Sequence, residues 1–141
     1  MIKTWLIYAL LSAFFAALTA IFAKAGLKHV NADLATAVRT SVILVIVWGI
    51  VFFRQLEKGI VNLNANNWLF LVLSAVATGL SWIFYYRALQ LGKAAEVTVV
   101  DKSSILFTIL LACLFLKEPL TPRILLAAAL IFGGLMVMIW K

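Results

Sequence analysis

Five apolar segments, each close to twenty residues long, occupy most of this chain of 141 residues. The core of a lipid bilayer is about 30 Å thick, and a helix needs about 20 apolar residues to cross it. The segments that approach or reach this length are residues 5–23, 34–53, 68–89, 97–116 and 122–140. We therefore predict an all-α integral membrane protein of five transmembrane helices, which form a single membrane domain over residues 1–141.

The composition excludes most other classes of protein. Apolar residues make up 66% of the chain and charged residues 12%, whereas soluble domains are about half apolar and a quarter charged. The net charge of +7 does not indicate nucleic-acid binding, because the basic residues stand singly between apolar runs. Cys113 and His29 are the single cysteine and the single histidine. We expect no metal site, no cofactor and no catalytic residues, since the sequence contains no P-loop, nucleophile elbow or metal motif.

Two of the helix boundaries carry recognisable signals. Thr121 precedes Pro122, which is the order of an N-cap residue and a proline in the first turn of a helix. Leu91 precedes Gly92, which predicts that the third helix ends there with a glycine cap.

The basic residues are balanced between the two faces of the membrane. With five spans, one face carries Lys3, Arg54, Lys58, Lys117 and Arg123. The other face carries Lys24, Lys28, Arg87, Lys93 and Lys141, once Arg39 and Lys102 are set aside because they lie inside predicted spans. The positive-inside rule needs an imbalance to fix an orientation. The charges leave two alternatives open, a single orientation decided by a few residues or a partner, and dual topology.

Five helices barely enclose a pathway for a solute. Many transporters are built from two inverted repeats around a site near the membrane midplane. A short chain with an odd number of spans and balanced charge is what one such half would look like, and its complement would be a second, antiparallel copy. Small residues let helices approach closely, so we predict a dimer interface at Ala129, Gly133 and Gly134; packing of this strip within one chain is the alternative.

Several motifs then resemble a known family. Residues 22–27 (FAKAGL), 86–92 (YRALQLG), 100–104 (VDKSS) and 114–121 (LFLKEPLT) are similar in order and spacing to an EamA domain of the drug/metabolite transporter superfamily. Most members of that family carry two such domains as inverted repeats in ten helices. This chain resembles the single-domain, five-helix subgroup of bacteria and archaea. The resemblance implies a transporter of a small organic solute or metabolite in the cell (inner) membrane.

Ionisable residues at membrane depth are the first candidates for a solute-binding or coupling site, because they are costly unless paired or wet. Asp101 is the acidic residue inside a predicted span, and it would have to carry protons if they drive transport. Lys102 points about 100° away on a helix, so Arg39 and Lys24 are the better partners. The alternative is that Asp101 and Lys102 reach the headgroups and anchor the helix.

Polar side chains also recur at helical spacing in the third and fourth spans. They are Ser74, Thr78, Ser81 and Tyr85 in the third span and Thr98, Asp101, Ser104 and Thr108 in the fourth. We predict that these stripes border a narrow polar cavity, in which Trp82 and Tyr86 stack on an aromatic or cationic solute. The alternative is that the hydroxyls bond to carbonyls of their own helices.

These observations predict transport by alternating access in an antiparallel, dual-topology homodimer. The alternative is a non-transporting membrane subunit that needs a different, oppositely oriented partner chain.

Overall fold

The computed structural model describes residues 3–140, and these residues contain helices and no strand. The helices are α1 (Thr4–Gly26), α2 (Ala32–Phe53), α3 (Ala65–Leu91), α4 (Ala94–Asp101), α5 (Ser104–Leu116) and α6 (Pro122–Ile139), with a short 3₁₀-helix at Glu57–Asn62. Within this described part, five segments are long and apolar enough to cross a bilayer, and α4 and α5 together form the fourth. The predicted all-α membrane fold is confirmed. Lys141, counted above among the basic residues, lies outside the described residues.

The boundaries follow local hydrogen bonding. The Asn31 side chain accepts hydrogen bonds from the amides of Asp33 (2.8 Å) and Leu34 (3.3 Å), so α2 begins two residues before its predicted start. The predicted start of α6 is confirmed, since the Thr121 hydroxyl accepts from the Ile124 amide (3.4 Å) and a proline follows the cap. Helix α3 ends at Leu91 as predicted, but no described glycine has a positive φ, so a left-handed glycine cap does not end it.

The fourth span is interrupted where an uninterrupted helix was predicted. Helix α4 ends at Asp101 and α5 begins at Ser104. Between them the Ser103 amide bonds to the Val100 carbonyl (2.9 Å) and the Leu106 amide to the Ser103 carbonyl (3.0 Å). These bonds reach back three residues rather than four, which is the tighter 3₁₀ pattern. The change in periodicity means that Thr98 and Thr108 do not share the uninterrupted α-helical stripe predicted from the sequence.

The chain divides into two compact units, Met1–Leu91 and Gly92–Lys141. In the first unit, α3 packs against both α2 and α1. The buried residues come from the end of α1, the start of α2 and the end of α3, so packing is tightest at one end of the unit. They are Ala20, Ala23, Leu27, Ala32, Thr36, Tyr86 and Leu89. In the second unit, α6 packs against α4 and α5, and Leu135 is its buried residue within the described part.

The outer surfaces of the helices are apolar. In each of the five spans, at most 6% of the residues in the most apolar stretch are buried. Large exposed apolar surfaces are rare on soluble monomers and are typical of contact with lipid or with another protein. The exposed leucine, valine, isoleucine and phenylalanine side chains are thus placed as a lipid environment requires.

Candidate functional site

The first unit brings Arg39 against two aromatic rings. The Arg39 Cζ atom lies 4.1 Å from the centroid of the Trp82 ring and 5.5 Å from that of the Tyr86 ring. Arg39 and Trp82 are half-buried, and Tyr86 is 4% exposed. The start of α2 meets the end of α3, which places these three side chains together. The structure therefore gathers three of the residues predicted as a site, and it makes Arg39 the cation that stacks on the rings.

The depth of Arg39 in its membrane span makes this charge costly unless other groups stabilise it. Arg39 follows the first residue of α2 by seven positions, which is about 10 Å along the helix. An arginine at the centre of a span costs about 2.5–3.5 kcal/mol on insertion scales. Contacts with aromatic rings contribute about 0.5–1 kcal/mol each at exposed sites and about 2 kcal/mol when desolvated. About 1 kcal/mol from the Trp82 ring and about half as much from the more distant Tyr86 ring offset about half of that cost. The guanidinium therefore also needs water or an anionic group beside it.

An open cavity of about 530 Å³ adjoins this arginine. Its walls come from α1, the connector after it, α2 and α3, and all of its lining residues belong to the first unit. Arg39, Tyr86 and Thr19 are the lining side chains with polar atoms, and the rest of the lining is apolar. The Thr19 hydroxyl donates to the carbonyl of Phe15 in its own helix (2.9 Å). The cavity is therefore an apolar groove that carries one cation, of the size common for small-molecule sites.

An ion pair lies at the end of the first unit that contains Arg39. The Arg87 Nε donates to Asp33 Oδ1 (3.1 Å), and Arg87 Nη2 donates to Asp33 Oδ2 (2.8 Å). This two-point geometry fixes the orientation of both groups and joins the start of α2 to α3 near its C-terminal end. Asp33 was not among the residues predicted as a site, because the second span was predicted to begin at Leu34; the Asn31 cap was a visible signal for an earlier start.

Two further bonds join the end of α1 and the connector after it to the end of α3. The Lys24 ammonium donates to the Leu89 carbonyl, and the Gln90 amide donates to the Val30 carbonyl. The Leu89 carbonyl belongs to the last turn of α3, where carbonyls have no partner within the helix and the helix dipole favours a cation. Lys24, predicted as a site residue, thus holds α1 against α3 and does not line the cavity.

The polar residues predicted along the third helix lie outside the cavity. The Thr78 hydroxyl donates to the Ser74 carbonyl (2.8 Å), as the alternative interpretation of the stripe expected. Ser81 is exposed, and the Tyr85 ring meets the Tyr86 ring edge-on, with centroids 6.4 Å apart. None of Thr78, Ser81 and Tyr85 is among the residues that line the cavity in the first unit.

In the second unit, Asp101 and Lys102 stand at the interruption of the fourth span. The Lys102 Nζ lies 3.6 Å from Asp101 Oδ2, so the expectation that Lys102 is not the partner of Asp101 is wrong. The expectation assumed a regular α-helix, whereas α4 ends at Asp101 and the chain tightens into 3₁₀ geometry. Ser104 begins α5, and its carbonyl accepts the Thr108 hydroxyl (2.9 Å). The span thus carries its ion pair at the point where its helix changes form.

Helix α6 presents its small residues without a packed neighbour in the second unit. Ala129, Gly133 and Gly134 are exposed, and a Cβ atom added at either glycine would meet no atom of that unit within 4 Å other than the adjoining backbone of α6 itself. Within residues 3–140, no three His, Cys, Asp or Glu side chains come close enough to hold a metal ion.

The comparisons with known proteins agree with this architecture. The chain matches the EamA-like transporter family over residues 3–140. It is 44% identical over 138 residues to a Sinorhizobium protein named "Uncharacterized transporter in cobO 3′ region", and the match covers 98% of both chains. No solved structure matches the chain significantly. The resemblance predicted from the motifs is confirmed, and both matches are to transport proteins, not to enzymes.

Proposed function

The chain belongs to the EamA-like transporter family, and we propose that it moves a small organic solute across the cell (inner) membrane by alternating access, as an antiparallel homodimer. Helices rather than the strands of a barrel span this membrane, which supports an inner rather than an outer membrane. The solute site includes the cavity of the first unit, with Arg39 and Tyr86 in its lining and Trp82 stacked on Arg39.

The observation that carries the proposal is the stacked arginine beside the cavity. Charged residues inside membrane spans are rare and mark pathways for solutes or ions. Arg39 lines an apolar groove of about 530 Å³ and is held by two rings rather than by a carboxylate. A merely structural arginine would be expected to pair with an acidic side chain, as Arg87 does with Asp33.

The antiparallel arrangement is supported by charge and by the open face of α6. Five basic residues on each face of the membrane leave the orientation of a single chain undecided by the positive-inside rule. The open surface at Gly133 and Gly134 is of the kind that lets two membrane helices approach closely. Two copies inserted in opposite directions would supply the second inverted half that most transporters of this design contain.

The orientation of the C-terminus tests this arrangement. Reporters that are active on one side of the membrane only, fused after the last residue of the full chain, should give comparable signals on both sides. A variant with Arg54→Ser and Lys58→Ser removes two charges from one face and is the matched control, since it should give signal predominantly from one side. A wild-type signal from one side only would contradict the antiparallel homodimer and favour a partner chain of opposite orientation.

A further inference from the structure

We propose that the cavity of the first unit takes an organic anion with an apolar body, whose anionic group binds the guanidinium of Arg39. The inference rests on the proposed function to the extent that the bound anion is the transported solute. Three observations support the inference: the cavity carries one positive charge, the aromatic rings beside it already contact Arg39, and its walls are apolar.

The charge of the cavity has one sign. Arg39 is the charged side chain that lines it. In the described part of the first unit the carboxylates are Asp33 and Glu57, and neither forms an ion pair with Arg39. Asp33 is instead held by Arg87 at 2.8 Å. A cation in an apolar, partly desolvated groove attracts an anion more strongly than it would in water, so an anionic ligand completes this site.

The rings of the site already hold a cation. The Arg39 guanidinium lies over the Trp82 ring and near the Tyr86 ring. A second cation brought to the same rings would meet the charge of Arg39 at close range. Lys24 in the last turn of α1 and Lys28 in the connector after it add to the positive potential at this end of the unit. The stacked cationic solute predicted from the sequence is therefore disfavoured.

The walls of the cavity favour an apolar body. Phe22, Val30, Leu34 and Val38 line it. The Thr19 hydroxyl already donates to its own helix, so the walls offer few partners for hydroxyl groups. A polyol or sugar would lose hydrogen bonds to water here without replacing them, whereas a hydrocarbon ring or chain would not.

A series of three probes with one body and three charges tests the inference on the wild-type chain. Phenylmethanesulfonate is a permanent anion, benzyl alcohol is neutral, and benzyltrimethylammonium is a permanent cation. The full chain in nanodiscs of zwitterionic lipid is dialysed against each radiolabelled probe, with empty nanodiscs subtracted. We expect phenylmethanesulfonate to bind at least about ten-fold more tightly than the other two, as a charge-assisted contact provides. Equal or tighter binding of benzyltrimethylammonium, or no binding of any probe, would overturn the proposal.

Variants then assign the charge preference to Arg39. Arg39→Gln should weaken the binding of phenylmethanesulfonate about ten- to hundred-fold, and Arg39→Lys should retain part of it because the charge remains. The matched control is Arg54→Gln, the same substitution at the exposed end of α2, which should bind as the wild type does. Wild-type affinity in Arg39→Gln would contradict the assignment. The probe series needs no variant, so it decides even where a variant fails to fold.

The phosphate of a lipid offers the same chemistry as a free organic anion, and the lipid composition separates the two sources. Nanodiscs with one third anionic lipid repel the probe and should by that effect alone weaken its apparent affinity about three- to seven-fold. A loss of affinity no larger than this supports a free solute, whereas a larger loss assigns the cavity to lipid and overturns the proposal. Uptake of the probe into proteoliposomes is measured separately. Selective binding without uptake would contradict transport and still support the anion site. Uptake that shows no preference for the anion would support transport and contradict the anion site.

Discussion

Arg39 and Trp82 should be coupled by about 1 kcal/mol in the folded chain. The guanidinium carbon lies 4.1 Å from the centroid of the Trp82 ring, and both side chains are half-buried. Such contacts are worth about 0.5–1 kcal/mol when exposed and about 2 kcal/mol when desolvated, so a half-buried pair lies between these limits. The Tyr86 ring is at 5.5 Å. Because the attraction of a charge to a ring weakens steeply with distance, its coupling should be about half as large.

A double-mutant cycle measures the coupling energy between Arg39 and Trp82 separately from the cost of inserting the arginine's charge into the membrane. The cycle compares the wild type, Arg39→Met, Trp82→Leu and the double variant, with the free energy of unfolding taken from titration with dodecyl sulfate in mixed micelles and followed by circular dichroism. The effects of each single change on insertion and packing cancel in the difference. A second cycle replaces Trp82→Leu by Tyr86→Leu.

Trp48 is the matched control for this prediction. It lies nine residues after Arg39 on the same helix and packs on Phe52, with ring centroids 5.5 Å apart. A cycle of Arg39→Met with Trp48→Leu should give a coupling within about 0.3–0.5 kcal/mol of zero, as for distant sites. A coupling to Trp82 no larger than this control, or smaller than the coupling to Tyr86, would refute the stacked geometry.

Three further predictions concern the ion pairs and the small residues. Arg87→Asp alone should lower the yield of folded chain, and adding Asp33→Arg should restore most of it, because the ion pair joins α2 to α3. Size-exclusion chromatography measures the yield, and no recovery in the double variant would refute this role of the pair. Gly133→Leu should reduce the amount of crosslinked dimer about ten-fold without loss of helix content. Gly49→Leu, at an equally open glycine, should leave the amount of dimer unchanged. An unchanged amount of dimer in Gly133→Leu would exclude this interface. Asp101→Asn should abolish any dependence of proteoliposome uptake on a pH gradient, and Asp101→Glu should keep it. An identical dependence in both variants would show that Asp101 does not couple protons to transport.

The spans could be predicted from the sequence because the bilayer imposes one length on every helix. Runs of apolar residues and the Thr121 cap therefore located most of the structure. The interruption after Asp101 could not be predicted in this way. Hydropathy treats residues 97–116 as one apolar run, and the 3₁₀ bonds at Ser103 depend on backbone geometry that side-chain polarity does not report.

The site was predictable in part. Arg39 was singled out as an ionisable residue inside a span and as a partner for Asp101, and the aromatic residues Trp82 and Tyr86 were found by their position beside a polar stripe. The contact of Arg39 with the two rings was not predicted, because it depends on how α2 meets α3 rather than on spacing within one helix. The hydroxyl of Thr78 was misleading for a physical reason, since threonine in a membrane helix can donate to its own backbone.

An antiparallel homodimer requires that chains fixed in opposite orientations associate with each other. One tagged variant carries Arg54→Ser and Lys58→Ser, and a second, differently tagged variant carries Lys28→Ser and Lys93→Ser, so that each loses charge from a different face. We expect that neither variant self-associates when expressed alone and that the two co-purify in equal amounts when expressed together. Self-association of either variant alone, or no co-purification of the pair, would contradict an antiparallel homodimer.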